Sequence, residues 1–238
     1  MIDKFPPILP SNSTFPITNH QSTNHQSTNH QINIGVGLHD SSAALIPYLA
    51  CFDEPFVLIS TGTWCISLNP FSQEPLTPEE LAQDCLCYLS YEGKPVKAAR
   101  YFGGHEHEEM TKALADEFTV SDDFYRQIQL SDPDFFGTKL SESLKTRYLD
   151  SMRQLIEKQA ISTRLAIGNT PIKRIFVDGG FSKNETYMNL LALAFPELEV
   201  FAAEIPQASA IGAAMAIHGS WNEKPMSKNL ISLKRIRV

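Results

Sequence analysis

The chain has 238 residues, 42% hydrophobic and 20% charged, with a formal net charge of −7. That is an ordinary globular balance, enough for one large domain or two small ones. The acidic balance argues against nucleic acid or an anionic membrane as partner, and the longest nearly unbroken apolar stretch, Ala43 to Phe52, is interrupted by Pro47 and too short to span a bilayer.

The N-terminus lacks the apolar core of a secretory signal, so a cytoplasmic protein is expected. Residues 1–31 differ from the rest. Pro6, Pro7, Pro10 and Pro16 punctuate the start, and a pentapeptide ending Thr-Asn-His-Gln then runs three times from Ile17. The repeat cannot bury a core, and disorder is expected for the whole segment. His20, His25 and His30 recur at a metal-like interval, but nothing in the repeat fixes their geometry, and no metal site is assigned.

From Gln31 the pattern turns globular. Ile32 to Leu38 reads as a strand. A helix start at His39-Asp40-Ser41-Ser42 follows, then apolar Ala43 to Leu49. Phe56 to Ser60 reads as a buried strand, Thr61-Gly62-Thr63 as its break, and Trp64 to Leu68 as its hairpin partner. Asn69 to Pro78 is a loop, Cys85 to Tyr91 a strand, Lys97 to Phe118 a helix, and Phe124 to Ile128 a possible short helix. A turn at Ser131-Asp-Pro-Asp precedes a long helix over Ser141 to Ile167, whose Leu149, Met152, Ile156, Ala160, Thr163 and Ile167 keep helical spacing. Strand 174–177, helix 184–195, strand 199–203 and helix 207–218 follow, and the chain from Gly219 is a polar, basic tail. Strands first, then alternating helix and strand, predict an α/β fold with helices packed on a mixed sheet. The four cysteines form no C-x-x-C pair, and buried or half-buried thiols are expected.

Three elements carry chemistry. In Gly35-Val36-Gly37-Leu38-His39-Asp40, the acid stands where a strand ends and a helix begins. Asp40 fits an N-cap, and it also fits a general base at the sheet edge where α/β proteins put ligands. In Ser60-Thr61-Gly62-Thr63-Trp64, small hydroxyl residues around a glycine suit phosphate oxygens, or simply a β-hairpin turn. In Val177-Asp178-Gly179-Gly180-Phe181-Ser182-Lys183-Asn184, a glycine pair between strand and helix lets a ligand approach the backbone near a helix N-terminus. There Asp178 also suits a structural turn. His105-Glu106-His107-Glu108-Glu109 is not H-E-x-x-H and reads as a solvated helix face. No P-loop or G-x-G-x-x-G fingerprint occurs.

Together with the later Ala202-Ala-Glu-Ile-Pro-Gln-Ala-Ser-Ala-Ile-Gly-Ala-Ala-Met215, these motifs, in this order over about Ile32 to His218, resemble the C-terminal half of FGGY-family carbohydrate kinases. The rhamnulokinase and fuculokinase branch, where a His-Asp pair opens this half, looks most similar. The resemblance implies a ribonuclease-H-like, actin-like lobe over residues 32–220, flanked by the low-complexity 1–31 and a tail at 221–238. It implies ATP and a ketose as substrates, with Asp40 as the base that takes the sugar hydroxyl's proton. Thr61 and Gly62 then meet the transferring phosphate, and Gly179, Gly180 and Asn184 lie beside the adenosine. Residues 207–210 open a helix packing under the nucleotide. Such kinases are twice this long. Their N-terminal lobe brings most sugar contacts and the acid that positions Mg2+, so activity is expected to need that lobe from another chain, and the open face is expected to favour self-association. A non-catalytic nucleotide-binding remnant and an actin-like regulatory module are the alternatives.

Overall fold

A computed structural model describes residues 9–17, 32–128, 141–205 and 207–237. The pentapeptide repeat beyond Ile17 and the Ser131 turn lie outside the described residues. Strand β1 (Thr14–Ile17) pairs antiparallel with β2 (Ile32–Gly35), so part of the segment expected to be disordered is strand. Helix α1 (Asp40–Cys51) follows, with Pro47 inside it. Next come β3 (Phe56–Thr61) and β4 (Cys65–Asn69). A short helix, α2 (Pro78–Ala82), has a complete capping box between Thr77 and Glu80.

Strands β5 (Cys85–Leu89) and β6 (Pro95–Tyr101) form a hairpin, and α3 (Gly103–Phe118) leads off it. The helix expected from Lys97 therefore starts only at Gly103. Ala98 and Ala99 favour a helix, but β6 is paired on both sides, with β4 and β5, and that pairing overrides intrinsic propensity. Buried Lys97 is accommodated there by an ion pair of 2.5 Å with Glu80 on α2.

A 3-10 turn at Phe124–Gln127 precedes α4 (Glu142–Ile167), which Ser141 caps by accepting from the Leu144 N–H at 3.2 Å. Then follow β7 (Arg174–Gly179), α5 (Glu185–Ala194), β8 (Glu199–Glu204), α6 (Ala208–Ala216) and β9 (Ser232–Arg235). The expected polar tail thus contains an edge strand, which pairs antiparallel with β8. Its alternation is too short and too charged to stand out from a basic tail.

The main sheet runs β5-β6-β4-β3-β7-β8-β9, with β3, β7 and β8 parallel and the outer pairings antiparallel. Side chains alternate across it. Val57, Ile59, Ile175 and Val177 face α3, α4 and α5, while Phe56, Leu58 and Phe176 face α1 and α6. The mixed sheet flanked by helices is the α/β, ribonuclease-H-like lobe expected. No helix among the described residues is long and apolar enough to cross a membrane.

Parallel β3 and β7 end in register, Thr61 beside Gly179. Both turns therefore open on one edge of the sheet, where α1, α3 and α6 also begin. Helices α1 and α6 approach closely enough that a Cβ on Gly212 would lie 1.8 Å from the Ala43 carbonyl oxygen. Gly212→Ala must therefore move the two helices apart. We expect it to cost about 1–3 kcal/mol, the usual range for overpacking. Gly219→Ala, with open space around its Cβ, should stay within about 0.5 kcal/mol of the parent. Urea unfolding of both variants checks this, and equal stabilities would contradict the close helix contact.

Candidate functional site

Asp40 is the first residue of α1, and His39 occupies the cap position without a side-chain cap bond. The N-cap reading is thereby moved one residue. Asp40 Oδ1 accepts from the Ser41 N–H at 2.7 Å and lies 3.0 Å from His39 Nδ1. Its side chain is 79% exposed. His39 in turn stacks on Tyr88 of β5, ring centroids 6.0 Å apart.

The turn after β3 is built from underneath. The Thr61 hydroxyl donates to the Asp178 carbonyl at 2.5 Å and accepts from the Phe181 N–H at 3.0 Å. Thr61 is buried, and its hydroxyl is fully occupied in tying the β3 turn to the β7 turn. Gly62 N–H donates to the Trp64 carbonyl at 2.9 Å, closing the hairpin. The exposed residues of the turn are Gly62, Thr63 and Trp64. The N-terminus of α3 packs against them. A Cβ on Gly104 would sit 1.8 Å from the Gly62 oxygen, and the His105 N–H donates to the Thr63 carbonyl at 3.1 Å. Gly103-Gly104 is a glycine pair between strand and helix, like Gly179-Gly180, and that likeness was the sequence signal that could have marked it.

The two glycines after β7 differ. Gly179 has φ +92°, and a Cβ there would lie 1.9 Å from the Thr61 oxygen. Its requirement is structural. A Cβ on Gly180 would meet nothing within 4 Å. Asn184 caps α5, its Oδ1 accepting from the Tyr187 N–H at 3.0 Å. Its Nδ2 donates to the buried Tyr148 hydroxyl at 3.0 Å.

These elements enclose two adjoining cavities. The larger, about 610 Å³, is lined by Asp40, Thr61–Trp64, Tyr88, Arg100, Asp178 and Gly179, among others. The smaller, about 220 Å³, is lined by Gly62, Gly104, His107, Tyr125, Gly180, Phe181 and Asn184. Gly62 belongs to both. The structure thus gathers all six candidate residues at one sheet edge, with Asp40, Thr61 and Gly179 on the large cavity and Gly180 and Asn184 on the small one.

Several lining residues were not anticipated. His107 is buried rather than on a solvated helix face, and burial pushes its pKa down to about 4. Arg100 pairs with Asp84 at 2.5 Å and lies 5.4 Å from the Trp64 ring centre. Cys65 and Cys85 are buried thiols that burial pushes up to about 12 and about 11, while Cys87 is exposed. Among the described residues no cluster of His, Cys, Asp and Glu has the arrangement of a metal site.

Asp178 is 8% exposed on the floor of the larger cavity. Burial raises its pKa, opposed by the Gly179 N–H that its Oδ1 accepts at 2.7 Å and by the nearby Tyr48 hydroxyl. That hydroxyl is itself buried and forms no well-made hydrogen bond. The folded state holds the Asp178 proton more tightly than the unfolded chain, whose Asp titrates near about 4. Stability from this group is therefore fully present below that value and is lost as pH rises through the raised folded value. Asp178→Asn keeps an oxygen for Gly179 N–H and carries no charge. We expect the variant to gain on the parent as pH rises from about 4 towards neutrality. Urea midpoints across that range test it, and parallel curves would contradict it.

Comparison with known proteins follows the same lines. The carbohydrate kinase FGGY C-terminal domain pattern matches residues 53–130, and the C-terminal domain pattern of the FGGY family of carbohydrate kinases matches residues 108–218. A carbohydrate kinase from Novosphingobium aromaticivorans is similar in structure with a TM-score of 0.58 and 24% identity, covering 86% of this chain and 47% of that one. A xylulose kinase from Rhodospirillum rubrum gives a TM-score of 0.58 at 18% identity, covering 86% of this chain and 46% of that one. Plasmodium falciparum glycerol kinase, solved with ADP, gives a TM-score of 0.55 at 13% identity, covering 82% and 44%. At these identities the likeness is one of fold. This chain spans less than half the length of each. A comparison with curated proteins finds no match. The two family patterns overlap and together run over residues 53–218, most of the globular part, and both describe the C-terminal domain of FGGY carbohydrate kinases.

Proposed function

We propose that the chain is the C-terminal lobe of an ATP-dependent sugar kinase. In this reading the sugar hydroxyl oxygen attacks the γ-phosphorus. The new P–O bond forms as the bond to the ADP oxygen breaks, and the hydroxyl proton passes to the Asp40 carboxylate. The observation that carries the reading is the shared wall at Gly62. One side of it holds an acid at a helix start, and the other holds a ring-sized cavity with an open glycine. A nucleotide with its base in the small cavity would bring its phosphates past Gly62 and Thr63 towards Asp40.

The roles then divide by exposure. Thr63 and Gly62 form the exposed crown of the turn and would meet the transferring phosphate. Thr61 and Gly179 hold that crown from below. His39 keeps Asp40 oriented through its Nδ1 contact of 3.0 Å, and the resemblance of this His-Asp pair to the one that opens this half in the rhamnulokinase and fuculokinase branch is what suggests a ketose substrate. A divalent metal such as Mg2+ would accompany ATP, but the described residues offer it no cluster of ligands, and no step is assigned to it. The sugar's second wall is the task of an N-terminal lobe, on this chain's continuation or on another chain. Without it we expect little turnover.

Gly180 gives a direct test of the nucleotide reading. Its surroundings leave room for a side chain, so Gly180→Val should keep the fold and fill the small cavity instead. We expect at least about a tenfold loss in ADP affinity, which is about 1.4 kcal/mol, by calorimetry on a variant with a parental melting curve. Undiminished ADP binding would remove the base from this cavity.

Asp40→Asn tests the chemistry. Asn retains the oxygen that accepts the Ser41 N–H but cannot take a proton. With the N-terminal half of a similar kinase added to restore the cleft, we expect the variant to bind nucleotide normally and to lose about a hundred- to ten-thousand-fold in phosphorylation rate. A coupled ADP-release assay over rhamnulose, fuculose, xylulose and ribulose measures it. Equal turnover by parent and variant would leave Asp40 a helix-start residue only.

A further inference from the structure

The small cavity contains a polar relay that the transfer chemistry does not use. Asn184 Oδ1 accepts from the Tyr187 N–H at 3.0 Å, which fixes the amide so that Nδ2 is the free donor. Nδ2 donates to the Tyr148 hydroxyl at 3.0 Å. Tyr148 is fully buried, and its hydroxyl oxygen lies 3.3 Å from His107 Nε2. The hydroxyl accepts from Asn184, and its own buried proton needs an acceptor. Donating that proton to Nε2 makes Nε2 the bare nitrogen. A neutral imidazole with a bare Nε2 carries its proton on Nδ1.

Burial keeps the ring neutral, since desolvation holds the His107 pKa at about 4. The ring also lines the small cavity, between Tyr125 and Phe181, whose rings stand nearly perpendicular to it at 4.8 and 5.2 Å. At about 220 Å³ the cavity is smaller than the roughly 300–1,000 Å³ of a whole-ligand site. It suits one ring system rather than a whole nucleotide.

From this geometry, and resting on the nucleotide reading above, we infer that His107 is a specificity residue for the purine base. It donates its Nδ1–H to a ring-nitrogen lone pair, with Asn184 and Tyr148 acting as positioning residues that fix the tautomer. A buried donor meeting no acceptor is costly, so a base lacking that nitrogen is rejected. Asn184 thereby serves both the α5 cap and the choice of base.

The test is an affinity cycle with ADP and its 1-deaza, 3-deaza and 7-deaza analogues, each lacking one ring nitrogen. In the parent protein one analogue should bind about tenfold more weakly than ADP. In His107→Phe that penalty should vanish, because the donor is gone. Three analogues binding the parent as ADP does, or a penalty that persists in His107→Phe, overturns the inference while leaving nucleotide binding intact. Failure of the parent to bind ADP overturns the kinase reading and this inference together. Because His107 is buried, Tyr148→Phe provides a second route that keeps the imidazole. Nitrogen-15 NMR should show an Nδ1-protonated ring in the parent, a mixture of tautomers in Tyr148→Phe, and a smaller analogue penalty in that variant. An Nε2-protonated ring in the parent would overturn the relay.

Discussion

The hydroxyl of Thr61 is the contact on which the site depends. Two parallel strands can lie side by side and still send their turns in different directions. Here one buried hydroxyl donates to the Asp178 carbonyl and accepts from the Phe181 N–H, joining the turn after β3 to the turn after β7. The joint works only because Gly179 lets the backbones approach, with its α-carbon facing the Thr61 carbonyl. Buried backbone groups at strand ends need partners, and Thr61 supplies them at the place where a cavity opens. The same joint gives the two cavities a common wall. Threonine here is thus a structural bolt, and its exposed neighbours Gly62, Thr63 and Trp64 line the cavity above it.

The remaining pieces of the site are referenced to that joint. Gly104 brings α3 against Gly62 from one side, and Gly212 brings α6 against α1 from the other. Glycine is used at each of these positions because two backbones meet there, leaving no volume for a Cβ. Gly180 contrasts with them all. It faces open space and has no strained φ, so packing gives no reason for it, and in the proposed nucleotide reading ligand access would. The distinction between glycines that let protein approach protein and a glycine that lets ligand approach protein is invisible in residue type.

Much of the fold was legible. The apolar runs at Phe56–Ile59 and at Ile175–Val177, and the helical spacing of α4, each translated into the element observed. Where the reading failed, a long-range partner decided the outcome. Residues 97–101 have helix-favouring alanines yet lie in β6, because β4 and β5 claim their backbone groups. Residues 232–235 look like a basic tail yet complete the sheet beside β8. The site followed the same division. Its turns were visible as glycine and hydroxyl clusters. His107 and Tyr125 were not, since each lines the small cavity from a helix or turn whose sequence carries no mark of which side faces it.

A catalytic base gains most where water is excluded and charges cannot relax. Within the kinase reading, Asp40 on this lobe has neither advantage. Its side chain is 79% exposed, and His39 beside it is 62% exposed. The end that this reading gives to the base is different in kind, with His107, Tyr148 and Phe181 buried and packed around the His107 ring. On that reading the lobe would separate a finished recognition end from an unfinished chemical end. Binding energy for the base can be realised by this chain's own residues, whereas the sheltering of Asp40 requires a second surface over the larger cavity. Phosphoryl transfer depends on alignment and charge stabilisation more than on any single group. In the proposed reading this division would place recognition of the nucleotide on this lobe and would make turnover depend on a second surface.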